Sequence, residues 1–256
     1  MRSFDFGAFP AAANAAAAKH AAALTPAAPS LSCGRFAAGA NCGQPKKEMI
    51  SMPSPDDLLF LGYELLSALL PFLLSCCLFA RLTRPLPANT WAVVLVFDLY
   101  ITGVYHFTGV GTLYEGLRYR LPLREQWNLI PFSHTIDPTG YFLNLLLFLP
   151  LGLLVPLIWD RLGRFWQVLC LGAGFSLFVE LTQLLNIRAS DVDDLILNTA
   201  GSALGFAAFK FFDRSSGSGC RQRAPVSLLP LCLLTPYLGR FFLYDDMGLA
   251  RLLYGF

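Results

Sequence analysis

Charged residues are scarce in this chain: they make up 14% of its 256 residues, whereas hydrophobic residues make up 55%. So few charges cannot cover the surface of a soluble domain of this size, which argues against an ordinary soluble protein. The net charge of +2 is spread through the predicted loops and gives no reason to expect a nucleic-acid partner. The composition therefore predicts a protein whose main surroundings are the lipid bilayer.

Short motifs for catalysis and metal binding are also missing. The seven cysteines show no metal-ligand spacing, and Cys76 and Cys77 are adjacent within one predicted helix. There is no glycine-rich phosphate loop, nucleophile elbow or zinc-binding helix motif. No inverted repeat or pair of broken helices appears that would favour a carrier. The sequence therefore assigns no cofactor, no metal and no oligomeric state.

Apolar runs of about twenty residues recur along the chain, and a run of that length can cross a bilayer as a helix. We therefore predict an all-α, polytopic transmembrane bundle of about six helices, with five to six spans. The predicted helices are Leu58–Ala80, Trp91–Phe107, Tyr141–Trp159, Phe165–Leu185, Leu195–Phe212 and Val226–Tyr244. The sixth contains Pro230 and Pro236, where a kink is expected rather than a break.

The start of the chain has a different composition, dominated by alanine with scattered proline, glycine and serine. Residues 1–55 are predicted to be a disordered extension, or to precede a true start at Met49 or Met52. The rest of the chain is predicted to comprise an extra N-terminal helix at 56–87, a central transmembrane domain at 88–213, and a C-terminal loop and helix at 214–256.

Basic residues are distributed unequally between the two sets of predicted loops. One set contains Arg81, Arg84, Arg161, Arg164, Lys210, Arg214, Arg221 and Arg223. The other set, from the second helix onward, contains Arg118, Arg120, Arg124, Arg188 and Arg251. Because cytoplasmic loops carry an excess of lysine and arginine, the first set is expected to be cytoplasmic. Residues 108–140 and the turn at 188–194 are then extracytoplasmic.

Polar residues interrupt the apolar pattern between the fourth and fifth predicted helices. At about 100° per residue, an arc of roughly 80° on the fifth helix contains Asp191, Asp194, Asn198, Gly201 and Gly205. An arc of roughly 60° on the fourth helix contains Ser176, Glu180 and Gln183. Two helices joined by a short turn would therefore face each other with polar stripes. Ionisable groups at bilayer depth are costly, so these stripes predict a functional site.

Several motifs in a fixed order resemble the VanZ-like family over about Trp91 to Phe212. They are Asn128–Phe132 (NLIPF), Asn144–Gly152 (NLLLFLPLG), Ser176 with Glu180 and Gln183, and Arg188–Asp194 (RASDVDD) followed by Asn198 and Gly201. The namesake of that family is associated with low-level resistance to the glycopeptide teicoplanin. The resemblance thus implies a bacterial cell-envelope protein of the plasma membrane, but no particular reaction.

Three functional classes fit the polar residues. A membrane-embedded enzyme could act on a lipid-linked envelope substrate, with Glu180, Asp191 and Asp194 as catalytic acids or bases. Its substrate-binding residues would be Arg188, Gln183, Asn198, Asn144 and Asn128, with Arg188 binding a phosphate. Alternatively, the same groups could bind a glycopeptide, another envelope ligand or a divalent cation without turnover. A carrier or proton path is the third class. We favour ligand binding with a role in resistance.

Structural roles compete with these functional ones. Asp193 and Asp194 are candidates to cap the fifth helix, and Asn144 is expected to bond Asn198 or Gln183 across helices. The Asn128–Phe132 segment is either an interfacial anchor or a lid over the cluster. The spacing of Gly201 and Gly205 predicts close helix packing. Two lone acids, Glu64 and Asp98, are expected at the interface or in single pairs.

Overall fold

The computed structural model describes residues 55–83, 86–118, 127–128, 130–132, 137–185, 190–216 and 222–254. Apart from Pro55, the predicted N-terminal extension lies outside the described residues. The predicted domain limits at 56–87, 88–213 and 214–256 stay predictions.

Helices make up most of the described chain. They are α1 Pro55–Leu82, α2 Ala88–Thr108, α3 Leu113–Arg118, α4 Pro138–Ile158, α5 Phe165–Gln183, α6 Val192–Ser216, α7 Leu228–Leu243 and α8 Asp246–Tyr254. A single 3-10 turn, Asp160–Leu162, separates α4 from α5. Strands β1, Trp127–Asn128, and β2, Ser190–Asp191, pair in parallel and form the one sheet in the described part of the chain.

All six predicted helices are present, with ends within a few residues of the predicted ones. In the described ranges, five helical stretches are long and apolar enough to cross a membrane: α1, residues 88–118, α4, α5 and the 192–214 part of α6. Helix α7 is apolar but has only 16 residues. The prediction of an all-α membrane bundle is therefore confirmed, whereas the short helices α3 and α8 were not predicted.

Prolines lie inside several of these helices without ending them. Helix α7 continues through Pro230 and Pro236, as predicted, and α4 continues through Pro150 and Pro156. Membrane helices tolerate proline because neighbouring groups can satisfy the carbonyls that lose their hydrogen bonds. The helices that carry the polar residues are consequently uninterrupted.

Glycines allow α4 and α6 to approach each other closely. A Cβ atom on Gly201 would overlap the carbonyl oxygen of Leu145, and one on Gly205 would overlap that of Leu149. Small residues at such crossings permit direct backbone contact between membrane helices. The predicted packing role of these two glycines is confirmed, and their contact positions the start of α6 beside the start of α4.

Hydrogen bonds define two ends of the bundle. At one end, Gln183 at the end of α5 contacts the carbonyl of Thr108 at the end of α2, and Asn144 near the start of α4 contacts Asp194 near the start of α6. We call this the motif end. At the other end, the indole Nε1 of Trp159, which follows α4, donates to the carbonyl of Pro225, just before α7, over 3.1 Å. Between the ends lies an apolar core.

Candidate functional site between the helix ends

Asp191 is the N-cap of α6. It is the last residue of β2, and its Oδ1 accepts a hydrogen bond of 3.0 Å from the backbone N–H of Asp193. A carboxylate that accepts from one of the first amides of a helix satisfies a group with no partner inside the helix. Asp193 and Asp194, the predicted caps, lie in the first turn of α6, where their negative charge is favoured by the helix dipole as predicted, but the capping hydrogen bond is made by Asp191.

The Asn128–Phe132 segment is joined to Asp191 by backbone and side chain. Asn128 and Asp191 are register partners in the parallel pair of β1 and β2, and Asn128 Nδ2 donates to Asp191 Oδ1 over 3.1 Å. The Oδ1 of Asn128 accepts from the backbone N–H of Ile130 at 3.3 Å, while the Ile130 side chain is 69% exposed. The described part of this segment therefore lies over the start of α6, and the choice between an interfacial anchor and a lid stays open.

Asp193 holds the other end of the same segment. Its Oδ1 accepts from the backbone N–H of Phe132 and its Oδ2 from the hydroxyl of Tyr141, each over 2.8 Å. Phe132 has φ of 55°, a left-handed conformation that is uncommon for a residue with a Cβ. Asp193 is buried. Sequence reasoning missed this role, because Asp193 lies off the polar arc and nothing in the sequence pairs it with Tyr141.

Glu180 connects the end of α5 to the same point. Its Oε2 accepts from the backbone N–H of Asp191 at 3.1 Å, and the residue is only 4% exposed. A side-chain acceptor on α5 and a side-chain donor on β1 thus converge on Asp191. Three of the predicted site residues, Asn128, Glu180 and Asp191, form one connected network.

Asn144 and Asp194 form a second pair at the motif end. The amide of Asn144 donates to Oδ1 of Asp194 across the contact between α4 and α6. The predicted partners of Asn144, namely Asn198 and Gln183, are therefore wrong. The close approach of α4 and α6 explains the change, since it places the first turns of both helices side by side while Asn198 and Gln183 face other neighbours.

Asn198 and Ser176 show that the two polar stripes face each other, as predicted. Asn198 Nδ2 on α6 donates to the hydroxyl oxygen of Ser176 on α5 over 3.0 Å. About two turns further along α5, Gln183 Nε2 donates over 2.7 Å to the carbonyl of Thr108. Both amide side chains are buried, and Asn198 Oδ1 and Gln183 Oε1 have no hydrogen-bond partner among the described residues. Each therefore presents an unused acceptor.

Arg188, the predicted phosphate-binding residue, lies outside the described residues, so its role stays a prediction. The catalytic roles predicted for Glu180, Asp191 and Asp194 also stay predictions. In the ranges that the structure describes, no group of three or more His, Cys, Asp and Glu side chains is placed to hold a metal ion. The described site is an arrangement of hydrogen-bond acceptors, which includes carboxylates and amide oxygens.

A second polar network, which the sequence did not predict, joins the flanking helices at the motif end. Glu64 on α1 pairs with Arg240 Nε on α7 and with His106 Nδ1 on α2, each over 2.7 Å. Arg240 also donates to the carbonyl of Val110, which follows α2. Both Glu64 and Arg240 are buried. The expectation that Glu64 is interfacial or singly paired is wrong, because it has two partners in the interior.

The residues after α2 connect the two networks. Gly109 ends α2 with φ of 62°, the left-handed conformation that glycine adopts readily at a helix C-terminus. A Cβ atom on Gly111 would lie 2.6 Å from the carbonyl oxygen of Thr182 on α5, so this segment packs closely on that helix. It is bound by Gln183 on one side and by Arg240 on the other.

These features define an integral membrane protein with a polar site between helix ends. Residues 90–213, a little under half of the chain, match the profile of the family described as VanZ/LLP1, so the predicted VanZ-like resemblance is confirmed over this segment. The matched range includes β1, β2 and nearly all of α2 to α6, whereas α1 and α7 lie outside it. No curated protein and no solved structure matches the chain.

Proposed function

We propose that the chain binds a cell-envelope ligand through the polar residues at the motif end, and that this binding contributes to low-level glycopeptide resistance. The VanZ/LLP1 match over residues 90–213 supports the envelope role. The observation that carries the binding role is the pair of buried amide oxygens, Asn198 Oδ1 and Gln183 Oε1, with no partner in the described part of the chain. A buried acceptor without a partner is costly, and a bound ligand with donors would remove that cost.

The chemistry of the site favours a ligand that carries hydrogen-bond donors. Glu180, Asp191 and Asp194 contribute carboxylates, which only accept when ionised, and the two amide oxygens add further acceptors. Hydroxyl and amine groups of a glycopeptide, or of a lipid-linked envelope precursor, would complement them. Arg188 is predicted from the sequence to bind an anionic part of the same ligand.

The plasma membrane is the proposed location, with the motif end on the extracytoplasmic side. The described basic residues Arg161, Arg164, Lys210, Arg214 and Arg223 lie at or beyond the opposite helix ends. That distribution supports a cytoplasmic position for the opposite end. An envelope ligand would then reach the site from outside the cell.

An enzyme is the alternative, and the position of Glu180 favours it. This buried carboxylate belongs to α5 and lies beside the N-terminus of α6, where it accepts from the backbone N–H of Asp191. Carboxylates whose surroundings differ in burial can act as an acid and a base. In that case Glu180, Asp191 and Asp194 would transfer protons to or from a lipid-linked substrate.

Susceptibility testing distinguishes these proposals from a structural role. A susceptible bacterial host would express wild type, Glu180→Gln, Asp191→Asn or the control Asp56→Asn, which removes an exposed acid at the start of α1. We expect wild type and the control to raise the minimum inhibitory concentration of teicoplanin, and the two site variants not to raise it at equal membrane abundance. Full activity of both site variants would contradict the proposed site.

Binding and turnover need a second measurement. Purified wild type would be mixed with teicoplanin, and with a lipid-linked wall precursor, and binding would be followed by calorimetry while the precursor is analysed by mass spectrometry. Saturable binding with an unchanged precursor supports the binding proposal. A change in precursor mass that is absent with Glu180→Gln supports the enzyme instead.

A further inference from the structure

Asp98 is a buried acid without a partner in the middle of the bundle. It lies at the centre of α2, has 0% exposure, and neither of its carboxylate oxygens has a hydrogen-bond partner among the described residues. Thr102 follows one helical turn later on the same face, is also buried, and its hydroxyl likewise has no partner in that part of the chain. The sequence-based expectation of an interfacial or singly paired Asp98 is therefore wrong.

The groups that face Asp98 carry no positive charge. Cys76 on α1, Cys232 on α7 and Tyr105 on its own helix are close enough to interact with it electrostatically. The Tyr105 hydroxyl is used elsewhere, because it donates to the carbonyl of Leu233. No described lysine, arginine or histidine pairs with Asp98.

Glu64 provides the contrast within the same protein. It is also a buried acid of a transmembrane helix, but Arg240 and His106 both contact its carboxylate. An ionised carboxylate is tolerated in an apolar interior when it is paired and hydrogen-bonded, and it is very costly when it is not. The structure thus surrounds one buried acid with partners for its charge and leaves the other with none.

We propose that Asp98 is a proton-binding site in the interior of the bundle. The ligand is a proton, which forms an O–H bond with one carboxylate oxygen and leaves the side chain neutral at neutral pH. The protonated acid carries no charge, so it needs no cationic partner in this apolar interior. This site is separate from the ligand site at the motif end and does not depend on the function proposed for it.

Infrared spectroscopy tests the protonation directly. The full chain, purified in lipid at neutral pH, should show a carbonyl stretching band of a protonated carboxylic acid that is missing in Asp98→Asn. The control Asp56→Asn, which removes an exposed acid at the start of α1, should retain that band. A wild-type spectrum that equals the Asp98→Asn spectrum in this region overturns the proposal. Bands of an ionised Asp98 carboxylate that shift when sodium is added would also overturn it, because they would show that Asp98 binds a metal cation instead of a proton.

Two further measurements keep the proposal testable if Asp98→Asn fails to fold. Asp98→Asn is a neutral isostere of the protonated acid, so we expect it to accumulate in membranes as wild type does. Accumulation far below that of wild type would contradict a neutral Asp98. Wild type alone can also be treated with dicyclohexylcarbodiimide, which enters apolar regions and reacts with protonated carboxyl groups. Mass spectrometry should locate the adduct on Asp98 and not on Glu64. The absence of an adduct on Asp98 contradicts the proposal.

Discussion

Asn128 and Asp191 are paired twice, once through their backbones in the parallel register of β1 and β2, and once through a 3.1 Å hydrogen bond from Asn128 Nδ2 to Asp191 Oδ1. The two residues are 63 positions apart in the chain. Asp191 also caps α6 through the amide of Asp193. One side chain therefore both begins a helix and holds the segment that covers the site.

Replacing Asp191 should separate its charge from its capping role. Asparagine keeps an oxygen that can accept from Asp193 and is as good an N-cap as aspartate, so Asp191→Asn should retain the stability of wild type. Asp191→Ala removes the acceptor and should lower the free energy of unfolding by about 0.5 to 2 kcal/mol. Denaturant titration in detergent measures the difference. Equal stability of the two variants would mean that the cap contributes nothing.

Asp193 should control how tightly the covering segment is held. Asp193→Ala removes the acceptor of the Phe132 amide, so hydrogen exchange at that amide should become faster. Tyr141→Phe removes only a donor to Asp193 and should have a smaller effect. Tyr100→Phe is the matched control, since its hydroxyl bonds Leu147 elsewhere. Exchange at Phe132 that is unchanged in Asp193→Ala would contradict this link.

The buried pair of Glu64 and Arg240 should be strongly coupled. Glu64→Gln leaves the Arg240 guanidinium buried without a carboxylate, so this variant should cost about 3 to 5 kcal/mol. Arg240→Gln should cost less, because Glu64 keeps its contact with His106. The double variant should be more stable than the sum of the single losses predicts. Unfolding free energies of the four proteins test this coupling. Additive losses would show that the 2.7 Å contact has no energetic role.

Close packing of α4 and α6 predicts that alanine is tolerated at some glycines and not at others, and Gly174 on α5 is the control position. Gly205→Ala forces a Cβ atom onto the carbonyl of Leu149, and should lower stability by about 1 to 3 kcal/mol because the helices must move apart. Gly174→Ala on α5 meets nothing within 4 Å and should be neutral or stabilising by up to about 1 kcal/mol. Thermal unfolding of both variants gives the comparison. The reverse order of stability would refute the packing argument.

Orientation in the membrane can be tested by cysteine labelling on a cysteine-free background. Ile130→Cys, which is exposed at the motif end, should react with an impermeant maleimide added outside intact cells. Asp160→Cys, exposed at the other end, should react only after the membrane is opened. Labelling of Asp160→Cys alone in intact cells would reverse the proposed orientation.

Much of the fold was predictable because insertion into a bilayer depends on local properties. Length and apolar composition of a single run are sufficient to identify a membrane helix, and all six predicted helices are found. The facing of Asn198 and Ser176 was also predictable, since two adjacent helices with a short connection must present their polar arcs to each other.

The partners of most polar side chains were decided only by the tertiary structure. Asn144 bonds Asp194 because glycines bring α4 and α6 into backbone contact, and Glu64 finds Arg240 across 176 positions of sequence. The sequence alone determined which segments are helical and which of their faces are polar. Which acid is paired, and which has no hydrogen-bond partner among the described residues, as Asp98 does, was determined by how helices distant in sequence are rotated, spaced and placed in depth. Those quantities depend on the packing of all the helices together, so no local pattern contains them.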